Sequence, residues 1–479
     1  MEESIRGLLA ELKDTRDWED TIFRWACALA RTVAERLFTA VDDELATRED
    51  GWHSEGKRAH TVVTRFGPVR VRRRLYQDGQ GQYRFRLDEV VGIASGARVS
   101  GKLDEVALRL ASQLPYAQAS AILTDLLPEG TVSKTAVHRL VQTRMGREVA
   151  AEAAEAEAVY SGAVAAPVGE RVVARLFVEA DGVNVPLQRE ATRRAEIKVG
   201  VAHEGWEQVG ADRYALVEKT RYAGVLEGDA FWERLSLKLG RRYDLATIEP
   251  VVVGGDGAGW VREGAAWLNG QFQLDRYHLQ RAIREAYGRE EVGAQAVYRA
   301  CVRGEMEEAV RLLVAREGVG PRAVAERLRQ VRRYITENAA GLRDYRQGLA
   351  TGTEDLRGLG AIESNVDKLI AHRMKHRGMS WTVAGADHMA RLQVCREEGR
   401  LGAVVDHGDA TAPARARRAV SEGVKKQVQR SIGEWLQVSM PVLRGPHADR
   451  PWACALAALA QLPIVSSDPH RLTVLPTKP

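Results

Sequence analysis

Five side chains in this 479-residue chain have the types and spacing that suit metal-ion chemistry: Asp181, Asp256, Asp275, His278 and Glu363. Asp256 stands within TIEPVVVGGDGAGW, after the β-branched run Val251-Val252-Val253 and among Gly254, Gly255, Gly257 and Gly259. Such a run stopping at glycines predicts a buried strand, and glycine lets backbone or ligand come close. A lone carboxylate at a strand end suits a metal or a phosphate; a tight turn around a solvated aspartate gives the same pattern. Asp181 ends another strand, LFVEAD, at Gly182, with Glu179 on the same strand face as a rival for its role. Glu363 opens a helix on which Asp367, Ile370 and Met374 follow at helical spacing. Lys368, Arg373 and Lys375 make that helix basic, and a carboxylate among cations stays ionised, as a metal ligand must. A solvated amphipathic helix with ion pairs along it is the plainer account. Asp275 and His278 stand three apart in LDRYH, where Asp275 also reads as a helix N-cap.

The elements that must position these residues run in the order β-β-β-α-β. VVARLFVEADGVNVPLQ, RAEIKVGVAHEGWEQ and RYALVEKTRYAG read as strands, DAFWERLSLKLGRRY as a helix and IEPVVVGGDGAGW as the fourth strand. That is the order of a ribonuclease-H-like fold, in which strands 1 and 4 are neighbours, so Asp181 and Asp256 would converge. Converging carboxylates repel unless a cation lies between them, and hard oxygen ligands suit Mg²⁺ or Mn²⁺. Residues 281–357 read as an all-helical insertion into a core whose first part is 165–280 and whose last helix lies in 358–395.

Upstream, 1–48 is a helical region and 49–95 a basic β-hairpin module with turn signals at Gly67-Pro68 and Asp78-Gly79. Its arginines, Arg72, Arg73 and Arg74 among them, form either a phosphate-contacting surface or a solvated strand face. Within 96–160, PYAQASAILTDLL, the break PEGTVS and KTAVHRLVQTRMG resemble a helix-turn-helix that would offer Lys134 and Arg139 to DNA. Helix pairs of this kind also occur in purely structural bundles. The 396–479 region is basic and Pro-rich, with Arg415, Arg417, Arg418, Lys425, Lys426 and Arg430 as a further patch. Scattered Cys27, Cys301, Cys395 and Cys454 argue against a disulfide framework or zinc ribbon and fit a reducing cytoplasm. No apolar run is long enough for a membrane span. A net charge of +5 permits a nucleic-acid partner without requiring one.

GGDGAGW, LDRYH and AIESNVDKLIAHRMKHRGMSW resemble the DDE transposases of ISLre-type bacterial insertion sequences, and more distantly Mutator-like enzymes. The likeness covers most of the chain, including the basic β-module and the helix-turn-helix. It implies that Asp181, Asp256 and Glu363 are the catalytic acids and ligands of two Mg²⁺ or Mn²⁺ ions. Asp275 and His278 resemble the Asp-x-x-His element of Mutator-like enzymes, with His278 then a catalytic residue. Lys368, Arg373 and Lys375 would hold phosphates near the metals. The implied partner is double-stranded DNA, both the terminal repeats of an element and a target, bound by a homo-oligomer in a nucleoid-associated, cytoplasmic setting. The implied reaction is strand cleavage and strand transfer. A structure-selective nuclease on the same fold, or an inactive transposase-derived DNA-binding protein, are the other readings.

Overall fold

The computed structural model describes residues 16–46, 52–288, 291–319, 321–348, 355–376 and 378–405. The basic patch expected from Arg415 on, and the first 15 residues of the expected N-terminal helical region, lie outside the described residues.

Trp18–Ala46 is one helix, α1. His53–Thr64 (β1) and Gly67–Gln77 (β2) pair antiparallel, with Thr64 opposite Gly67, and Tyr83–Arg84 (β3) adds a short edge. The tight turn therefore falls on Arg65-Phe66, two residues before the expected Gly67-Pro68. Gly67 accommodates it at φ +98°, a conformation that L side chains resist. Strand alternation turns Val69 and Val71 into a core with Val41, Leu45 and the Leu87 side chain of a short helix, Arg86–Val91 (α2). Gly101–Gln113 (α3) and Tyr116–Leu126 (α4) follow. Lys134–Tyr160 (α5) then runs 27 residues without a break. Ser133 caps it, its hydroxyl accepting from the Ala136 N–H at 3.2 Å. The second helix of the expected helix-turn-helix, KTAVHRLVQTRMG, thus runs on past Gly146 to Tyr160.

The central sheet has the order β10-β9-β4-β5-β8, where β4 is Leu176–Pro186, β5 Arg194–His203, β8 Thr220–Gly224, β9 Val251–Gly255 and β10 Gln271–Leu274. β5 lies antiparallel to β4 and β8, whereas β9 is parallel to β4 and β10 to β9. The expected third strand is divided. Arg213–Leu216 (β7) leaves the sheet to pair with Trp206–Gly210 (β6) in a separate hairpin, and only β8 joins the sheet. One sheet face packs Leu176, Val178, Val251 and Val253 against Phe231, Trp232 and Leu235 of Gly228–Gly240 (α6) and Val261 of Gly259–Trp267 (α7). The other face carries Phe177, Glu179 and Asp181, and is covered in part by Tyr345, Leu356 and Leu359.

After β10, Arg276–Tyr287 (α8) leads into the insertion. The expected continuous helix is three: Glu291–Arg303 (α9), Met306–Glu317 (α10) and Arg322–Glu337 (α11). Their apolar stripes share one core with α8, built on Leu279, Ile283, Val297, Leu313, Leu328 and Ile335. The chain then returns to the sheet with Ile362–Val366 (α12), a π turn over Asp367–Ala371 and His372–Met374 (α13), and ends its described part with the buried helix Val383–Glu397 (α14). The chain is thus a mixed α/β protein with three sheets among the described residues. Residues up to Asp104 with Ala121–Thr131 form one compact unit, and Glu105–Ser120 with Val132–Val405 the other. No described helix is long and apolar enough to cross a membrane.

Candidate active site

Register brings the acids to one place. Ala180 of β4 is level with Gly255 of β9, and Leu274 of β10 is level with that same Gly255. Asp181, Asp256 and Asp275 each follow by one residue, so three neighbouring parallel strands deliver an aspartate at the same level. Asp181 does not end its strand as expected, because β4 continues through Gly182 to Pro186 in its pairing with β5. Adjacent strands are ~4.8 Å apart, and in-register residues face the same way. Local bonds then orient the carboxylates. Asp181 Oδ1 accepts from the Gly182 N–H at 2.7 Å, and Asp256 Oδ1 from the Ala258 N–H at 2.9 Å. Neither Oδ2 has a hydrogen-bond partner among the described residues.

Asp275 is buried and has two duties. Its Oδ1 caps α8 by accepting from the Tyr277 N–H at 2.7 Å, and its Oδ2 meets His278 Nδ1 at 3.2 Å. The cap and the pairing are therefore both present. The bond from Asp275 raises the His278 imidazole above its ordinary range, and the charges of Asp275, Asp181 and Asp256 add to the effect. The insertion reaches this loop too. Tyr334 Oη of α11 donates to the Asp256 carbonyl at 2.6 Å. Arg262 Nη1 donates to the Gly257 carbonyl at 2.8 Å. Gly257 sits at φ +88°, and a Cβ there would lie 2.5 Å from Asn338 Oδ1.

Glu363 sits in the first turn of α12, which packs on β4 and β5, and its side chain is exposed. The approach is close because Gly254 has no side chain: a Cβ there would meet Leu359 Cδ1 at 2.6 Å. Glycine here admits the returning chain. Glu179 is not a second ligand on the strand face. It is 2% exposed, and its Oε2 accepts from the N–H groups of Gly360 at 2.8 Å and Ile362 at 3.2 Å. Its Oε1 faces His203 Nε2 at 3.4 Å. Sequence alternation placed Glu179 beside Asp181 but could not show this burial.

Burial, above all, pushes the Asp181 carboxyl up to about 6, with the negative charges of Asp256 and Glu363 acting in the same direction. An Asp181 carboxyl raised in part by the charges of Asp256 and Glu363, with one oxygen unused on each aspartate, suits a hard divalent cation. As the side chains stand, no three His, Cys, Asp or Glu among the described residues are placed to hold a metal ion. The donor chemistry of the aspartates fits such an ion.

The expected DNA-contacting residues divide by burial. Arg72, Lys134, Arg139, Lys368 and Lys375 are exposed. Arg73 is not: it follows the core-facing alternation of β2, lies 3.1 Å from Asp88 and stacks on Phe85. Arg74 is engaged with Asp42 at 2.6 Å and Asp43 at 2.8 Å. Arg373 is 3% exposed and donates to the carbonyls of Ala111 and Leu114. Arg73 and Arg373 are thus structural cations that offer no charge to a phosphate. The RMKHRGMSW block is largely an anchor as well: Trp381 bonds the Pro186 carbonyl through its N–H at 3.0 Å and the Met374 carbonyl through its indole at 3.1 Å.

Residues 9–410 match the model of an uncharacterised protein family, UPF0236. The chain belongs to this family. Among its relatives in the family is a UPF0236 protein of Caldanaerobacter subterraneus subsp. tengcongensis whose printed name strings together eleven TTE designations. It is 25% identical over 407 residues, 83% of this chain and 78% of that protein. Another from the same organism, with four designations in its name, is 26% identical over 83% of this chain and 78% of its own length. The "UPF0236 protein in vanSb 3'region" of Streptococcus gallolyticus is 25% identical over 73% of this chain and 75% of its own.

Proposed function

We propose that this chain is a DDE-type DNA transposase, which binds the ends of its own element, cleaves phosphodiester bonds to free 3′-hydroxyls and joins them to target DNA. The observation that carries the reading is the meeting of Asp181, where β4 runs past the end of its pairing with β9, and Asp256, just after β9, with the Glu363 helix packed on β4. The sheet supports a ribonuclease-H-like core: three antiparallel strands, β4, β5 and β8, followed by two more that continue parallel from β4 on its other side. The relatives' names support it too. Eleven designations for one protein in one organism describe a gene present in many copies, as genes of self-moving DNA are.

Asp181, Asp256 and Glu363 would hold Mg²⁺ or Mn²⁺, which when bound supplies charge neutralisation and activation of the attacking oxygen. Asp275 fixes the hydrogen on His278 Nδ1, which leaves Nε2 to donate to a phosphate oxygen or exchange a proton. Lys368 and Lys375 near the Glu363 helix are exposed, as cations that contact phosphate would be, and so, each in its own unit, are Arg72 and the pair Lys134 and Arg139. The test uses labelled fragments of the DNA flanking the gene, incubated with the protein, Mg²⁺ and a target plasmid. Cuts at fixed positions leaving 3′-hydroxyls, with joined products, are expected. Cutting that follows DNA shape without joining would favour a structure-selective nuclease, and binding without cutting an inactive relative.

A further inference from the structure

We infer that Glu179 is the positioning residue for Glu363, holding the entry to α12 against β4 through two backbone amides; this rests on the proposed catalytic role of Glu363. A buried carboxylate needs partners, since an unpaired one costs several kcal/mol. Those of Glu179 are two backbone N–H groups. Its Oε2 accepts from both Gly360 and Ile362, the residues that flank Ala361 immediately before Glu363. Gly360 sits at φ +143°, a conformation in which L side chains are strained, so the chain bends to present both N–H groups to one oxygen. Ile362 is the first residue of α12, where the N–H has no intrahelical partner. Glu179 supplies it.

The other oxygen, Oε1, is buried with no hydrogen-bond partner among the described residues. His203 is 0% exposed, and its Nδ1 lies 3.1 Å from the Gly205 carbonyl, so Nδ1 carries a hydrogen and Nε2 is the atom facing Glu179 Oε1. Phe177 stacks on the imidazole, with ring centroids 5.3 Å apart, and fixes its plane. The order of support is therefore Glu179, the 360–362 backbone and Glu363. Glu179 and Asp181 share one strand face, so one strand would set both the first acid and the placement of the third.

This role calls for an acceptor and not for a charge, which separates it from metal ligation. In Glu179→Gln the amide oxygen can receive the two N–H groups while the amide nitrogen donates to His203 Nε2. Cleavage by Glu179→Gln is therefore expected within about threefold of wild type, whereas Glu179→Ala should lose about 10- to 100-fold in kcat at unchanged affinity for DNA ends. Amide exchange at 360–363 should quicken in Glu179→Ala and stay at the wild-type rate in Glu179→Gln. Folded but inactive Glu179→Gln would overturn the inference in favour of a direct ligand, and wild-type kcat in Glu179→Ala would overturn it outright. Should Glu179→Ala not fold, Glu179→Gln decides alone. Were wild-type protein unable to cleave, the catalytic reading fails, and exchange at 360–363 judges the anchoring separately: unchanged exchange in a folded Glu179→Ala would overturn it.

Discussion

Asp181 is held where ionisation is unfavourable. Its carboxyl, ordinarily near 3.8, is pushed up to about 6, first by burial and then by Asp256 and Glu363. The folded chain thus binds this proton more tightly than the unfolded chain, so the stabilising contribution is full below pH 3.8 and lost as pH rises through 6. The displacement corresponds to roughly 3 kcal/mol, so ionised Asp181 weakens the fold by about that much at pH 7.5. Asp181→Asn should raise the melting temperature at pH 7.5 in chelator, and the gain should vanish near pH 4. A lower melting temperature for the Asn protein at pH 7.5 would contradict this. At this scale Asp256 was legible from its strand-ending position and Glu363 from its helix-opening one, whereas Asp181 lies inside β4 and not at its end. Glu179 was not distinguishable from Asp181, because period-two alternation reports a shared face and says nothing of what covers it.

Among the elements, β2 shows why charge in a sequence is not charge on a surface. Arg72 points out, while Arg73, one residue on, takes the inward position and pairs with Asp88. Burial pushes the Asp88 carboxyl up to about 7 even with Arg73 beside it, so removing the cation leaves a carboxyl poorly placed to ionise. Arg73→Ala should therefore destabilise the protein by roughly 3 kcal/mol. Arg72→Ala should leave stability unchanged, weaken binding to all duplex sequences and reduce the salt slope of affinity by about 1. Equal melting temperatures for the two variants would refute the division. The strand β9 was readable from an apolar run ending at glycine, while β4 was readable as a strand but runs through Gly182 to Pro186. The hairpin β6–β7 was not, since alternation marks a strand without naming the sheet it joins. The length of α5 was masked by Gly146, which reads as a stop but lies inside the helix.

For the whole molecule, the insertion is part of the site's support. Tyr334 and Asn338 close on the loop after Asp256 from the end of α11, while Leu359 reaches Gly254 as the chain returns towards Glu363. The sequence marked the insertion as an interruption, but helical periodicity gave no sign that its last turn grips the second acid. The central claim is that Asp181, Asp256 and Glu363 act together with a divalent ion on DNA. The most direct measurement compares cleavage of labelled element ends by wild type, Asp181→Asn, Asp256→Asn and Glu363→Gln in Mg²⁺ or Mn²⁺, with end binding followed on the same preparations. Wild type should cut only with the metal. Each variant should bind ends at least as well, because it removes negative charge facing phosphate, and should not cut. Metal-dependent cleavage by Asp256→Asn or Glu363→Gln at the wild-type rate would contradict the assignment.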